Sequence, residues 1–157
     1  MSERIDVKVA SPGVYAAMLG LERHVRQSGL EHALLELVRT RVSQINGCAF
    51  CLDMHTQDAR AAGESEQRLY ALSAWRDTPF FTPRERAALA WAEAVTNVAE
   101  GGVTDSDFAA AHEHFGDEEL ADLTLAIVAI NGWNRLSIAF AKPAGTYRPK
   151  REHAPGH

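Results

Sequence analysis

Two cysteines and a histidine carry most of the chemistry this sequence can offer. Cys48 and Cys51 form a single C-x-x-C, and His55 follows four residues later. If a helix opens near Cys48, steps of about 100° per residue bring Cys48, Cys51 and His55 within about 60° of one another on one face. The axial offsets would be about 4.5 Å between the cysteines and about 6 Å from Cys51 to His55, so one small pocket can hold all three. Free backbone N–H groups and the positive end of the helix dipole favour a thiolate there, and the thiolate is the nucleophile. His55, one turn on, is placed to take the proton of Cys51 directly or through a water. Cysteines three residues apart cannot cross-link distant parts of a fold, which leaves redox chemistry or half of a metal site. Zinc would need a fourth ligand and usually a second cysteine pair, which the chain lacks. A plain reading of the pair as small buried apolar residues is the remaining alternative.

The elements that must position these residues read as helices. Ser11-Pro12 starts one that runs to about Gln27, ahead of Ser28-Gly29. A second spans about Leu30 to Asn46 and meets Gly47; a third opens near Cys48 and stops at Gly63. A short helix covers about Ser65 to Trp75. Thr82-Pro83-Arg84-Glu85 has the form of a capping box for a helix to about Ala99, before Gly101-Gly102. Thr104 or Asp105 caps another to about Phe115, and the last runs from about Asp117 to Ala141. Apolar residues nearly encircle that last helix, as expected of one buried on most sides. No segment alternates as a half-buried strand does. The expected fold is an all-α helical bundle formed by one domain over residues 1–142, followed by an irregular tail over 143–157.

Composition excludes several function classes. The 157 residues carry 16 Lys plus Arg against 21 Asp plus Glu, a net charge of −5, and the pI is near 5.8. That balance argues against nucleic acid as a partner, since such proteins display a basic excess. The longest apolar runs, such as Leu125 to Ile130, fall far short of the roughly 20 residues that span a bilayer. The N-terminus lacks the apolar run of a signal peptide, so no membrane partner and a cytoplasmic location are expected. Thiols in that compartment are kept reduced, which favours a working C-x-x-C over a structural disulfide.

Against this background the segment Arg41-Val-Ser-Gln-Ile-Asn-Gly-Cys48, with Cys51 and His55, resembles the signature of the alkylhydroperoxidase D and carboxymuconolactone decarboxylase superfamily. That signature places a glutamate on the preceding helix, here Glu36, twelve residues before Cys48. Asn131-Gly-Trp-Asn134-Arg135 is similar to the final core helix of the peroxidase-like members. The resemblance implies an all-helical subunit assembled as a homo-oligomer, from dimer to hexamer. It also implies reduction of a hydroperoxide without metal, haem or other cofactor. By the same resemblance Cys51 is the peroxidatic thiolate and Cys48 the resolving thiol, with Glu36 and His55 as the proton relay. A dithiol partner, lipoylated or thioredoxin-like, would restore the thiols. One position departs from the best-studied branch: Phe50 stands where a histidine precedes the second cysteine, giving one protonatable group fewer and a more apolar pocket. Two other functions fit the same family or motif, a carboxymuconolactone decarboxylase-like lyase and a non-enzymatic redox-sensing oligomer.

Periodicity disagrees with the resemblance at Glu36. The apolar residues of its helix (Leu34, Leu35, Leu37, Val38, Val42 and Ile45 among them) fill an arc of about 200°, and Glu36 lies outside it, where a solvated residue belongs. His24, His32, His112, His114 and the tail histidines read as surface residues. Asn131 and Asn134 read as hydrogen-bonding groups between helices. Trp75, Trp91 and Trp133 read as core or interface residues rather than a ligand cage.

Overall fold

Local capping chemistry sets most of the helix starts. The computed structural model describes residues 2–149, and among them there are nine α-helices, one 3-10 segment and no strand. Helix α1 is Val7–Ala10, α2 Pro12–Gln27, α3 His32–Asn46, α4 Ala49–Ala61 and α5 Glu66–Ala71, followed by the 3-10 segment Leu72–Asp77. Helix α6 is Pro83–Thr96, α7 Val98–Gly101, α8 Asp105–His112 and α9 Asp117–Ala139. Thr82 and Thr104 make capping boxes with Glu85 and Asp107, and Pro12 and Pro83 occupy first-turn positions that need no N–H. The all-α expectation holds.

Several boundaries differ from the sequence reading. Helix α1 has no periodic pattern to announce it; Asp6 caps it by accepting the Lys8 N–H. Helix α3 begins at His32 because Glu31 is extended (ψ 127°). The short helix expected over Ser65 to Trp75 bends at Ala74 and continues as 3-10 turn to Asp77. Helix α6 ends at Thr96 rather than Ala99, since Asn97 leaves helical geometry and α7 starts afresh.

Helix α3 lies at the centre, packed on α4, α6 and α9, while α9 also packs on α2. Val38, Val42, Leu123, Ile127, Ile130 and Phe115 form the main core where these helices meet. A smaller core of Leu37, Leu72, Trp75, Phe81 and Leu89 closes the other side of α3. With neighbours all round, α3 buries its polar positions too: Glu36, Arg39, Thr40 and Ser43. The single-stripe reading of α3 therefore fails, and it fails at the positions that build the site.

Residues 143–149 form no helix and lie along α4. The rest of the expected tail, from residue 150, is outside the described residues. No helix among the described residues is long and apolar enough to cross a membrane.

Candidate functional site

The junction between α3 and α4 places the first sulfur. Gly47 sits at φ 68°, the left-handed conformation that glycine adopts without a Cβ penalty. Its N–H bonds to the Gln44 carbonyl at 3.3 Å, and the Cys48 N–H bonds to the Ser43 carbonyl at 3.0 Å, closing α3 with a Schellman turn. Cys48 then serves as the N-cap of α4: its Sγ accepts the backbone N–H of Cys51 at 3.4 Å. One residue thus finishes the glutamate-bearing helix and starts the histidine-bearing one. Both cysteines are reduced and 1% exposed.

Helix α9 supplies the wall opposite. Ser137 Oγ lies 3.7 Å from Cys51 Sγ. Asn134, fully buried, donates to Ser43 Oγ at 3.0 Å and accepts from Asn46 at 2.9 Å. Asn131 accepts from the same Asn46 amide at 2.9 Å and donates to Thr96 Oγ1 at 3.1 Å. The asparagines hold the helices together as expected, and Asn134 with Ser137 also favours the charged form of Cys48.

The two thiols titrate as a pair. The hydrogen bond from Cys51 is the largest influence on Cys48; with the Cys51 N–H, Ser137 and Asn134 it outweighs burial and lowers the Cys48 thiol to about 6. The same bond, burial and the adjacent negative charge push the Cys51 thiol far up. At neutral pH the pair therefore shares one proton and one negative charge across the hydrogen bond between its sulfurs.

Glu36 is 3% exposed and His55 is 7% exposed. The helix-stripe reading of Glu36 as a solvated residue is thereby corrected, because α4 and the Arg39 side of α3 cover that face. His55 Nδ1 lies 2.9 Å from Glu36 Oε2, and Arg39 Nη1 donates to Glu36 Oε1 at 2.7 Å. Burial raises the Glu36 carboxyl, but the His55 bond and the charges of His55 and Arg39 outweigh it and leave the group below its ordinary value. Glu36 is thus a carboxylate that can only accept, so Nδ1 is the donor in this bond and Nε2 is the ring nitrogen left outside it. That Nε2 is buried and has no hydrogen-bond partner among the described residues. Arg39 reaches on to Glu22 Oε2 at 2.7 Å, and Trp133 Nε1 donates to Glu22 Oε1 at 3.2 Å, tying α2, α3 and α9 behind the site.

The structure thus brings Cys48 against Cys51 and Glu36 against His55, with His55 one turn beyond Cys51 on α4. Phe50 packs at the edge of the main core, and Lys142 Nζ stands 4.4 Å from its ring centroid. Glu22, Arg39, Asp58 and Ser137 escaped the sequence reading. Asp58 and Arg39 each carried a local signal, standing three residues after His55 and Glu36 respectively on the same helix face.

Glu36, His55 and Asp58 offer three ligand atoms within 4.8 Å of one another. A metal there would have to displace the Glu36–His55 bond and lie beside the Arg39 guanidinium, so the donors suit a proton relay better than a cation. Elsewhere, His24 and His32 are exposed as expected; His24 meets Asp122 at 2.7 Å. His112 pairs with Asp117 at 2.7 Å on the surface, whereas His114 is half-buried. Trp75 and Trp91 are buried in the cores, with Trp91 donating to Thr124 at 2.9 Å.

Residues 12–94 match the model of the carboxymuconolactone decarboxylase family. The chain is 42% identical over 146 residues to the uncharacterized protein YdfG of Bacillus subtilis strain 168, covering 93% of this chain and 99% of that one. It is 44% identical, with a TM-score of 0.89, to a solved protein of unknown function from Agrobacterium tumefaciens, a candidate AhpD antioxidant defence protein; the match covers 93% of this chain and all of that one. The AhpD-core structure of a peroxidase-related protein from Ralstonia eutropha JMP134 shares the fold at a TM-score of 0.78 and 21% identity, over 89% of this chain and 75% of that one.

Proposed function

This chain belongs to the carboxymuconolactone decarboxylase family, and on that premise we propose that it is a thiol-dependent hydroperoxide reductase. The observation that carries the reading is the buried, hydrogen-bonded Cys48–Cys51 pair on the helix that also presents His55, oriented by Glu36. A lyase acting on a carboxylated lactone has no need of a dithiol in this state.

As the peroxide approaches, the proton that the two sulfurs share shifts onto Cys48 and leaves Cys51 the thiolate, and His55, oriented by Glu36 through Nδ1, relays the Cys48 proton onward through Nε2. The Cys51 thiolate attacks the terminal peroxide oxygen: the S–O bond forms, the O–O bond breaks, and the departing alkoxide takes the proton from His55 to leave as an alcohol. Cys51 is then a sulfenic acid. The Cys48 thiolate attacks that sulfur; the S–S bond forms and hydroxide leaves, collecting a proton to become water. A low Cys48 pKa suits this resolving step, since the thiolate is the form that attacks. A dithiol reductant, lipoylated or thioredoxin-like, then returns two electrons to the pair and becomes a disulfide itself, and the pair regains its single proton.

The active form is a homo-oligomer in this reading. An apolar groove between α2 and α9, lined by Val14, Ala17, Met18 and Leu136, supports it. Exposed Leu19, Val128 and Ile138 on the same two helices point the same way. The protein works in the cytoplasm, where a reduced resting pair is maintained. Replacing Cys51 by Ser is the direct test: consumption of an alkyl hydroperoxide with dithiothreitol as donor is lost if the reading is right, and persists if it is wrong.

A further inference from the structure

The Cys48–Cys51 pocket is sealed, yet the reductive half of the cycle must deliver a proton to it. A dithiol attacks the disulfide as its thiolate and sheds two protons to solvent. The two enzyme sulfurs gain two electrons, and to return to the resting thiol–thiolate pair they must also gain a proton. Both sulfurs are 1% exposed, and Glu36 and His55 are buried as well. Something has to connect them to water.

We propose that Asp58 and Tyr147 form the proton route between solvent and the buried His55–Glu36 relay. Cys51, His55 and Asp58 stand at i, i+4 and i+7 along α4, so they share one face of the helix. Exposure rises along that row, from the buried Cys51 and His55 to the half-buried Asp58. A carboxylate oxygen of Asp58, one of Glu36 and a ring nitrogen of His55 all lie within 4.8 Å of one another, a gap that a single water bridges. The half-buried Tyr147 Oη donates to Asp58 Oδ1 at 2.7 Å. Burial, then the Asp58 bond and the Asp58 and Glu36 charges, keep Tyr147 a protonated donor well above neutral pH.

Tyr147 is held in place by its own segment. The Gly145 N–H donates to Asp53 Oδ2 at 2.8 Å, and Lys142 caps the ring of Phe50. Residues 142–147 thus fasten to α4 at Phe50, Asp53 and Asp58, and the last fastening is the one that faces the relay. Asp58 and Tyr147 act through His55 and touch neither sulfur in this scheme, so they are relay residues. The inference rests on reading Cys48 and Cys51 as a redox pair.

The test uses the full chain and needs no peroxide. The disulfide is formed with diamide, and its reduction by dithiothreitol is followed by thiol counting in wild type, Asp58→Ala and Tyr147→Phe. We expect Asp58→Ala to slow reduction about tenfold or more, and added formate to restore much of the rate by carrying the proton itself. Tyr147→Phe should slow reduction by a smaller factor and show a changed solvent isotope effect. Reduction of Asp58→Ala at the wild-type rate overturns the proposal, as does a slowed rate that formate leaves unchanged. A wild type that reduces no hydroperoxide, but whose Asp58→Ala variant is slowed and rescued by formate, retires the peroxidase reading and leaves the proton route standing.

Discussion

Cys48 caps the helix that carries Cys51: its sulfur accepts the Cys51 backbone N–H at 3.4 Å, while its own N–H closes the preceding helix on Ser43. The dithiol is therefore part of the backbone architecture of the α3–α4 junction. Its electrostatics follow from the hydrogen bond of the Cys51 thiol first, and then from that placement, because an N-cap position offers a sulfur a backbone N–H that stabilises a thiolate.

Thiol reactivity should report this directly. The Cys48 thiol is lowered to about 6 by Cys51, the Cys51 N–H, Ser137 and Asn134. The pH profile of its alkylation by iodoacetamide should rise through a midpoint near 6, with the thiolate above it and the thiol below. Ser137→Ala removes one donor and should move that midpoint upward. An alkylation midpoint in the ordinary thiol range for wild type would contradict the assignment.

Removing the base should cost more than removing its orienting partner. His55→Ala should lower hydroperoxide turnover by about 10²–10⁴-fold, the usual range for a lost general base. Glu36→Gln keeps the shape but no longer fixes the proton on Nδ1, so turnover should fall as well, and less severely. It also leaves Arg39, buried between Glu22 and Glu36, with one charged partner fewer. The cost in urea unfolding should be about 3 kcal/mol, typical of breaking a buried pair.

Two helix ends predict opposite signs for exchanges between glycine and alanine. Gly47→Ala puts a Cβ at φ 68° and should destabilise by about 1 kcal/mol while loosening the Cys48 cap. Ala141 occupies the matching position after α9, at φ 54°, with the Lys142 N–H bonded to the Ser137 carbonyl at 2.9 Å. Ala141→Gly should therefore stabilise by about 0.5–1 kcal/mol. Thermal melts of the two variants beside wild type check both signs.

The groove between α2 and α9 should govern assembly. Val14→Glu places charge on an exposed residue that lines the groove, and Ile138→Glu places it on an exposed apolar position of α9. Light scattering after gel filtration should then show smaller particles than wild type, with the helical signal retained. Unchanged mass in both variants would move the interface elsewhere.

The sequence made the helices legible where capping chemistry is local. Thr82 with Glu85, Thr104 with Asp107 and Gly47 before Cys48 each announce an element by short-range bonds. The shared face of Cys48, Cys51 and His55 is likewise a matter of helical spacing alone. Glu36 was legible only through family likeness, because its burial depends on what packs around α3, and periodicity assumes one buried stripe. Arg39, Glu22 and Ser137 come from three different helices, and no spacing in one segment can foretell their convergence. Asp58 stood on the legible face of α4, but its significance appears only when Tyr147 folds back onto it from 89 positions away.

In the proposed cycle Cys51 reacts with peroxide and Cys48 resolves the product. Mass spectrometry of the intact protein after one equivalent of alkyl hydroperoxide tests it most directly. Wild type should lose two hydrogens as the Cys48–Cys51 disulfide forms, Cys48→Ser should gain one oxygen on Cys51, and Cys51→Ser should remain unchanged. Oxygen gained on Cys48 of the Cys51→Ser protein as fast as wild type is oxidised would contradict the account.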